Sequence, residues 1–192
     1  MPPKAKFQKE EIVTAAFEIV RKEGWKALTA RALGAKLGSS ACPIFTVFQN
    51  MEEVQQEVEE EAKAKYKEYV QKGLKENPAF KGVGTQYILF AQKEPQLFQH
   101  LFMEKQKEMP SFAGVLPVIE ESYIEILASI ENGYGVSKEV AEKLYRHLWI
   151  YTHGIATLCA TEMCHFTAKE ISEMMTEVFS SLFQKIKGEK QA

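Results

Sequence analysis

The segment TARALGAKLGSSACPIFTVFQNMEEV, residues 29–54, decides the fold that the sequence predicts for this chain of 192 residues. Apolar residues at Leu33 and Leu37 have the spacing of one helical turn, and Gly38 then interrupts the pattern. Two serines follow, and a second short apolar run begins at Pro43. Two helical pieces joined by a glycine turn, the second opened by a serine cap, are typical of a helix-turn-helix.

Helical periodicity continues on both sides of this segment. The pattern predicts a helix over 10–23 that stops at Gly24, a long helix over 52–70, and a capping box of Thr167 and Glu170 that opens the last helix. Four further helices are predicted between these, over about 80–90, 95–109, 116–130 and 137–163. No alternating apolar and polar run predicts a strand. We therefore expect an all-α fold of about nine helices.

Composition narrows the functional class. The 26 acidic residues are all glutamates, so the chain itself holds no Asp-dependent catalytic triad and no Asp-rich magnesium site. His100 and Glu104 share a helical face, but no third ligand has suitable spacing. The cysteines Cys42, Cys159 and Cys164 form no CxxC pattern. We expect a cytoplasmic protein with reduced thiols, without catalytic activity, metal or cofactor, and without a membrane partner.

The charges are distributed unevenly along the chain. Residues 1–48 carry eight lysines and arginines against four glutamates, a net charge of +4. Residues 49–192 carry sixteen against twenty-two, a net charge of −6. A basic end on an acidic body suits a protein that presents one end to a polyanion. A chance fluctuation remains the alternative, because +4 is modest.

The order of the predicted elements, a helix, the helix-turn-helix and a long helix, resembles the TetR/AcrR family of bacterial transcription regulators. Aromatic residues at Phe45 and Phe48 before the sequence QNMEEV add to the resemblance. The resemblance implies an N-terminal helix-turn-helix DNA-binding domain over 1–50. It also implies a C-terminal helical domain over 51–192 that binds an effector and dimerises, with the long helix at about 51–73 bridging the two.

Four positions depart from the family pattern. Phe45 stands where the family usually has a tyrosine that binds phosphate, and Met51 stands where a lysine is frequent. Ala41, like Thr46, occupies a position that is frequently basic or polar in the family. These departures predict fairly weak non-specific binding to DNA.

The predicted DNA contacts combine phosphate-binding residues with the start of a recognition helix over 40–48, capped by Ser40. Small side chains at this start favour contact with thymine methyl groups over bidentate guanine contacts. The candidate residues are Lys4, Lys6, Thr29, Arg31, Lys36, Ser39, Ser40, Ala41, Cys42, Pro43, Phe45, Thr46 and Asn50.

The body is expected to hold an apolar effector pocket bordered by the fifth to eighth predicted helices, because aromatic and methionine side chains concentrate there. Candidate lining residues are Tyr87, Phe90, Phe98, Phe102, Met103, Tyr123, Leu127, Trp149, His153 and Gly154. The stretch with Trp149, His153 and Gly154 resembles a C-terminal subgroup of TetR-like regulators. His153 either contacts the ligand or is a satisfied core histidine, and Gly154 marks close helix packing or a ligand.

Wide apolar stripes on the last two predicted helices favour a homodimer interface, although packing inside one subunit stays possible. The candidates are Leu148, Ile155, Cys159, Met175, Val178, Phe179, Leu182 and Phe183. The sequence thus favours a ligand-responsive regulator, expected to be a repressor, that binds a palindromic operator as a homodimer and is released by a small apolar effector. The alternative is a helical small-molecule-binding or protein-interaction module with weak or lost DNA binding.

Overall fold

The structure, a computed structural model, describes residues 6–105 and 109–189. Within these ranges the chain forms α-helices and short 3-10 helices and no strand, which confirms the all-α prediction. The helices are α1 (Lys9–Glu23), α2 (Ala30–Lys36), α3 (Met51–Leu74), α4 (Ala79–Lys93), α5 (Pro95–Met103), α6 (Val115–Ile119), α7 (Tyr123–Tyr134), α8 (Lys138–Ala160) and α9 (Ala168–Glu189). The 3-10 helices are Trp25–Ala27 and Ile44–Thr46. None of the described helices combines the length and apolar character that crossing a membrane requires.

Local signals in the sequence set several helix ends as predicted. Gly24 ends α1 with φ at +87°, a backbone conformation that side chains other than glycine rarely adopt. Thr29 begins α2, since its hydroxyl oxygen accepts the Ala32 amide at 3.2 Å. The capping box before α9 is also present: Glu170 accepts the Thr167 amide at 2.8 Å, and the Thr167 hydroxyl accepts the Glu170 amide at 3.2 Å.

The predicted recognition helix over 40–48 does not form as an α-helix. The chain instead makes successive 3-10 hydrogen bonds, with Phe45 N–H donating to Cys42 at 3.2 Å and Thr46 N–H donating to Pro43 at 3.3 Å. Two local causes favour this tighter geometry. Pro43 has no amide to donate, and the Thr46 hydroxyl donates to the Pro43 carbonyl at 2.7 Å. Ser40 therefore precedes a turn and not the first turn of an α-helix.

The helix predicted over 116–130 is divided into α6 and α7. Glu120 ends α6 in an extended conformation, and its carboxylate accepts the Ser122 amide at 2.9 Å. Both residues are buried. The Glu120 side chain therefore gives the Ser122 amide the hydrogen-bond acceptor that a backbone carbonyl would provide in a continuous helix. The number of described α-helices, nine, equals the predicted number only because one predicted helix is lost and another is split into two.

The chain divides into two compact units. The first unit contains Met1–Tyr66 and Glu94–Glu104, so α5 belongs with α1, α2 and the beginning of α3. Its core includes Ile12, Leu33, Ile44 and Phe98, all fully buried. A bidentate ion pair joins α1 to the start of α5: Arg21 Nε and Nη2 each donate to a Glu94 carboxylate oxygen at 2.6 Å.

The second unit contains Lys67–Lys93 and Lys105–Ala192. Here α4 packs against α7, α8 and α9 around fully buried side chains such as Ile130 and Leu144. The end of α3 approaches α4 so closely that a Cβ on Gly73 would lie 2.6 Å from the Val83 Cα. The unit boundaries differ from the expected domain ranges 1–50 and 51–192. The two units are defined by contacts within the chain, and such contacts do not show where DNA or an effector binds. The ranges 1–50 and 51–192 therefore stay a prediction.

Candidate functional site

The first candidate site is the surface built by α2 and the turn that follows it. Gly34, in α2, lies against the backbone of this turn, since a Cβ there would come within 2.8 Å of the Ser40 carbonyl carbon. The Gly34 carbonyl also accepts the Ser39 amide at 2.9 Å. Glycine at this position therefore permits a close approach of α2 and the turn, and it fixes the position of the 3-10 helix at Ile44–Thr46.

Most predicted DNA contacts lie on the surface of the first unit. Arg31 and Lys36, in α2, are exposed, and Phe45 is 43% exposed, a large fraction for an aromatic side chain. The other exposed candidates are Lys6, Thr29, Ser40, Cys42, Thr46 and Asn50, and the half-exposed ones are Ser39, Ala41 and Pro43. Lys4 lies outside the described residues.

One hydrogen bond brings two separate predicted contacts together. Lys6 Nζ donates to the Ser39 hydroxyl oxygen at 3.0 Å, across 33 residues of sequence. The same ammonium group lies 5.2 Å from the ring centroid of Phe7. The basic segment before α1 and the turn after α2 thus present polar groups at one place on the first unit.

Some cations of the first unit are paired and others are not. The paired ones include Lys9 with Glu57 at 2.7 Å, Arg21 with Glu94 at 2.6 Å and Lys22 with Glu18 at 3.6 Å on α1, and Lys63 with Glu60 at 2.9 Å on α3. In contrast, Lys6, Arg31 and Lys36 form no ion pair with any residue in 6–105 or 109–189. Lys26, which the sequence reasoning missed, shares this property and is exposed. These four cations keep their charge available to an external anion.

The beginning of α3 is less suited to phosphate. Asn50 accepts the Glu53 amide at 2.9 Å, and Glu53 in turn accepts the Gln49 amide at 2.7 Å. Asn50 therefore acts as a helix cap. Glu52 adds a second carboxylate to the first turn, and two carboxylates repel a phosphate from the helix N-terminus.

The predicted effector residues divide between the two units. Phe98, Phe102 and Met103 belong to the first unit, and the other seven belong to the second. Phe98 packs against Phe102 with 5.3 Å between ring centroids, whereas Met103 is exposed. In the second unit Phe90 and Leu127 are buried and Tyr123 stacks on Tyr145 at 5.7 Å.

Three of these residues form a cluster between α4 and α8. Tyr87 Oη lies 2.9 Å from His153 Nδ1, and Trp149 stacks on His153 at 5.1 Å between ring centroids. Burial raises the pKa of Tyr87 and lowers the pKa of His153 below its usual 6.5, so both groups are neutral near pH 7. We therefore assign Tyr87 as the donor to His153.

Gly154 is not a close-packing glycine within the described residues. It is exposed, and a Cβ built on it would meet no atom within 4 Å. The sequence offers close helix packing as one reason for a glycine at this position. Within residues 6–105 and 109–189, Gly154 makes no such close approach.

The second unit has a partly open cavity of about 260 Å³ at a different place. It lies among the start of α4, the end of α7, and the facing sides of α8 and α9. Its lining residues are Pro78, Phe80, Lys81, Tyr134, Leu148, Met175, Thr176 and Phe179. None of the ten predicted effector residues lines it, whereas Leu148, Met175 and Phe179 were predicted at a dimer interface. No periodicity in the sequence signals this cavity, because it arises from the packing of four distant segments.

The predicted dimer residues also divide by burial. Leu148, Ile155 and Met175 are buried within this single chain. The others are half-exposed and stay available to a partner: Cys159, Val178, Phe179, Leu182 and Phe183. Phe179 and Phe183 stack at 5.3 Å on α9, and both contact Tyr134.

Comparison with known proteins added no family. No protein-family model matches the sequence, and no curated protein matches it significantly. The resemblance to TetR-like regulators rests on the residues quoted above.

Proposed function

We propose that this protein is a ligand-responsive DNA-binding transcription regulator that acts as a homodimeric repressor on a palindromic operator. The observation that carries the proposal is the division of the cations in the first unit. Lys9, Arg21 and Lys22 are neutralised by glutamates, whereas the predicted phosphate contacts Lys6, Arg31 and Lys36 pair with no carboxylate in the described ranges.

A DNA duplex supplies the anions that this surface lacks. Neutralising phosphates with lysine or arginine releases condensed counterions, and this release gives most of the non-specific affinity. Ser40 and Thr46 offer exposed hydroxyl groups for further phosphate contacts. The exposed ring of Phe45 offers an apolar surface for a thymine methyl group.

The second unit supplies the response in this proposal. A ligand bound there shifts the population of two arrangements of the dimer, and only one arrangement fits successive major grooves. The helix α3 contributes residues to both units and is the natural connection between them. The half-exposed apolar residues on α9 are the proposed dimer contacts.

Two observations favour a second candidate, a helical small-molecule-binding or protein-interaction module with weak or lost DNA binding. The segment over 41–48 forms 3-10 turns, and the next helix begins with two carboxylates. A DNA reader of the helix-turn-helix type needs a longer helix to fill the major groove.

A binding assay separates the two candidates. Selection of duplexes from a random pool should enrich an inverted repeat. Fluorescence anisotropy with the selected duplexes should then show an affinity that falls steeply as the salt concentration rises. Arg31→Ala and Lys36→Ala should each reduce the salt slope by about 1 and weaken binding similarly on all sequences.

The matched controls are Lys75→Ala and Lys185→Ala, which remove exposed cations from the second unit. Both should bind DNA like the unmodified chain. The regulator proposal fails if no inverted repeat is enriched and if the α2 variants behave like these controls.

A further inference from the structure

The cavity in the second unit has apolar walls and one polar edge. Phe80 comes from α4, Tyr134 from α7, Leu148 from α8, and Met175 with Phe179 from α9. Phe80, Leu148 and Met175 are buried. These apolar walls favour an occupant that is largely apolar.

The sulfur of Met175 is held in a defined place on this wall. It lies 3.4 Å from the Thr152 hydroxyl, which donates to the Leu148 carbonyl at 2.7 Å, and its methyl group lies against Gly84, where a Cβ would come within 2.9 Å. The wall is therefore a packed surface with a fixed shape, and the empty volume beside it does not result from a loosely placed side chain.

The polar edge is built by α4 and α9. Lys81 Nζ donates to the Thr176 hydroxyl oxygen at 3.2 Å, and Thr176 donates to the Ser172 carbonyl at 2.7 Å. Lys81 forms no ion pair within the described residues, so its ammonium group keeps capacity for an anion. The Tyr134 hydroxyl likewise makes no hydrogen bond there and offers a second donor.

The size of the cavity limits the ligand. An apolar cavity of about 150 Å³ in another protein holds benzene, so about 260 Å³ accommodates a ring with a short chain, or a medium alkyl chain. A single ammonium group at the edge matches one negative charge. Glu173 and Glu177 flank Thr176 along the outer face of α9, and their carboxylates repel a second negative charge.

We propose that this cavity binds a small monocarboxylate whose apolar body fills the space between α4, α7, α8 and α9 and whose carboxylate meets Lys81 at the edge. The site is separate from the Tyr87, Trp149 and His153 cluster. The claim that this ligand class is the effector of the regulator rests on the proposed function. The claim that the isolated protein binds the ligand does not.

Calorimetric titration of the full chain without DNA tests the site. The probes are 4-phenylbutyrate and octanoate, each compared with its neutral primary amide at pH 7.5. The carboxylates should bind about tenfold more tightly than the amides, because a hydrogen bond to a charged group is stronger than one between neutral groups. Lys81→Met should abolish this preference, and Lys81→Arg should retain it.

Thr176→Trp places a large side chain at the exposed mouth of the cavity and should abolish binding of all four probes. Lys185→Met removes an exposed cation on α9 that does not line the cavity, and it should bind like the unmodified chain. Circular dichroism of each variant checks that it is folded.

Three outcomes overturn the proposal: the amides bind as tightly as the carboxylates, Thr176→Trp binds undiminished, or no probe binds. In the last case, a change in the sedimentation of Thr176→Trp would make the cavity part of an interface between copies. Failure of DNA binding is a separate result. A chain that binds the carboxylates but no duplex supports the site and refutes the regulator.

Discussion

The candidate sites of the two compact units differ in how far their polar groups are exposed. In the first unit, Arg31 and Lys36 are exposed on α2 and have no carboxylate partner in the described residues. In the second unit, Tyr87, Tyr145 and Glu120 are buried in the interior. Burial raises the pKa of Tyr87 and Tyr145. Exposed cations suit a surface that binds a charged partner. Buried polar side chains that are hydrogen-bonded suit an interior that stabilises one specific conformation.

This difference also decides what a sequence can reveal. Apart from the contact of Lys6 with Ser39, the candidate surface of the first unit is built mostly from neighbours in sequence, because the cap of α2, the turn after it and the 3-10 helix all lie within residues 29–48. The cavity of the second unit needs Pro78, Tyr134 and Thr176, which only tertiary packing brings together. Local patterns therefore predict surfaces more readily than cavities.

The largest expected effect contrasts two phenylalanines. Phe90 is fully buried and its ring meets Tyr69 at 5.2 Å, so Phe90→Ala should lower the free energy of unfolding by about 3–5 kcal/mol. Phe45→Ala, at an exposed position, should change it by about 0.5 kcal/mol or less. Urea unfolding measures both values. Similar losses for the two variants would remove the contrast between the interior of one unit and the surface of the other.

A smaller effect separates paired from unpaired arginines. Glu94 is 3% exposed and Arg21 is 41% exposed, so Arg21→Ala leaves a buried carboxylate without its bidentate partner. The expected loss is about 2–4 kcal/mol, reduced by the partial exposure of Arg21. Arg31→Ala should leave stability within about 0.5 kcal/mol. Thermal unfolding of both variants decides the question, and an equal loss would show that Arg31 has a structural role.

The smallest effect concerns pH. Burial lowers the pKa of His153 below 6.5, so the folded state binds a proton less readily than the unfolded state. Stability is then independent of His153 well above pH 6.5, and it is lost as pH falls through 6.5 toward the lower folded pKa. His153→Gln should reduce the fall in Tm between pH 7.5 and pH 5, whereas His165→Gln, at an exposed site, should not. An unchanged pH dependence in His153→Gln would place the titrating group elsewhere.

Much of the helical framework follows from local chemistry. Gly24, Thr29 and the Thr167–Glu170 box act as the sequence predicts, because caps satisfy backbone groups with neighbouring side chains. The predicted recognition helix does not form because Pro43 and the Thr46 hydroxyl favour 3-10 turns. The apolar pattern of the sequence does not reveal this local preference. The break between α6 and α7 depends on the buried Glu120 carboxylate, whose burial no periodicity reveals.

The same limits apply to the candidate sites. Composition correctly draws attention to the aromatic residues of the second unit, and Tyr87, Trp149 and His153 do meet. Burial assigns Leu148 and Met175 to the interior, although their stripe has the width expected of an interface. Width alone does not distinguish a helix that packs inside one chain from one that meets a partner.

The position of Met175 has a consequence for oxidative damage. Its side chain is buried, whereas Met109 and Met163 expose most of their surface. Peroxide converts exposed thioethers first, and a sulfoxide at those positions stays in water at little cost. A sulfoxide at Met175 would place a polar oxygen beside the apolar cavity. The exposed methionines can thus be consumed as sacrificial reductants before the wall of the cavity is chemically altered.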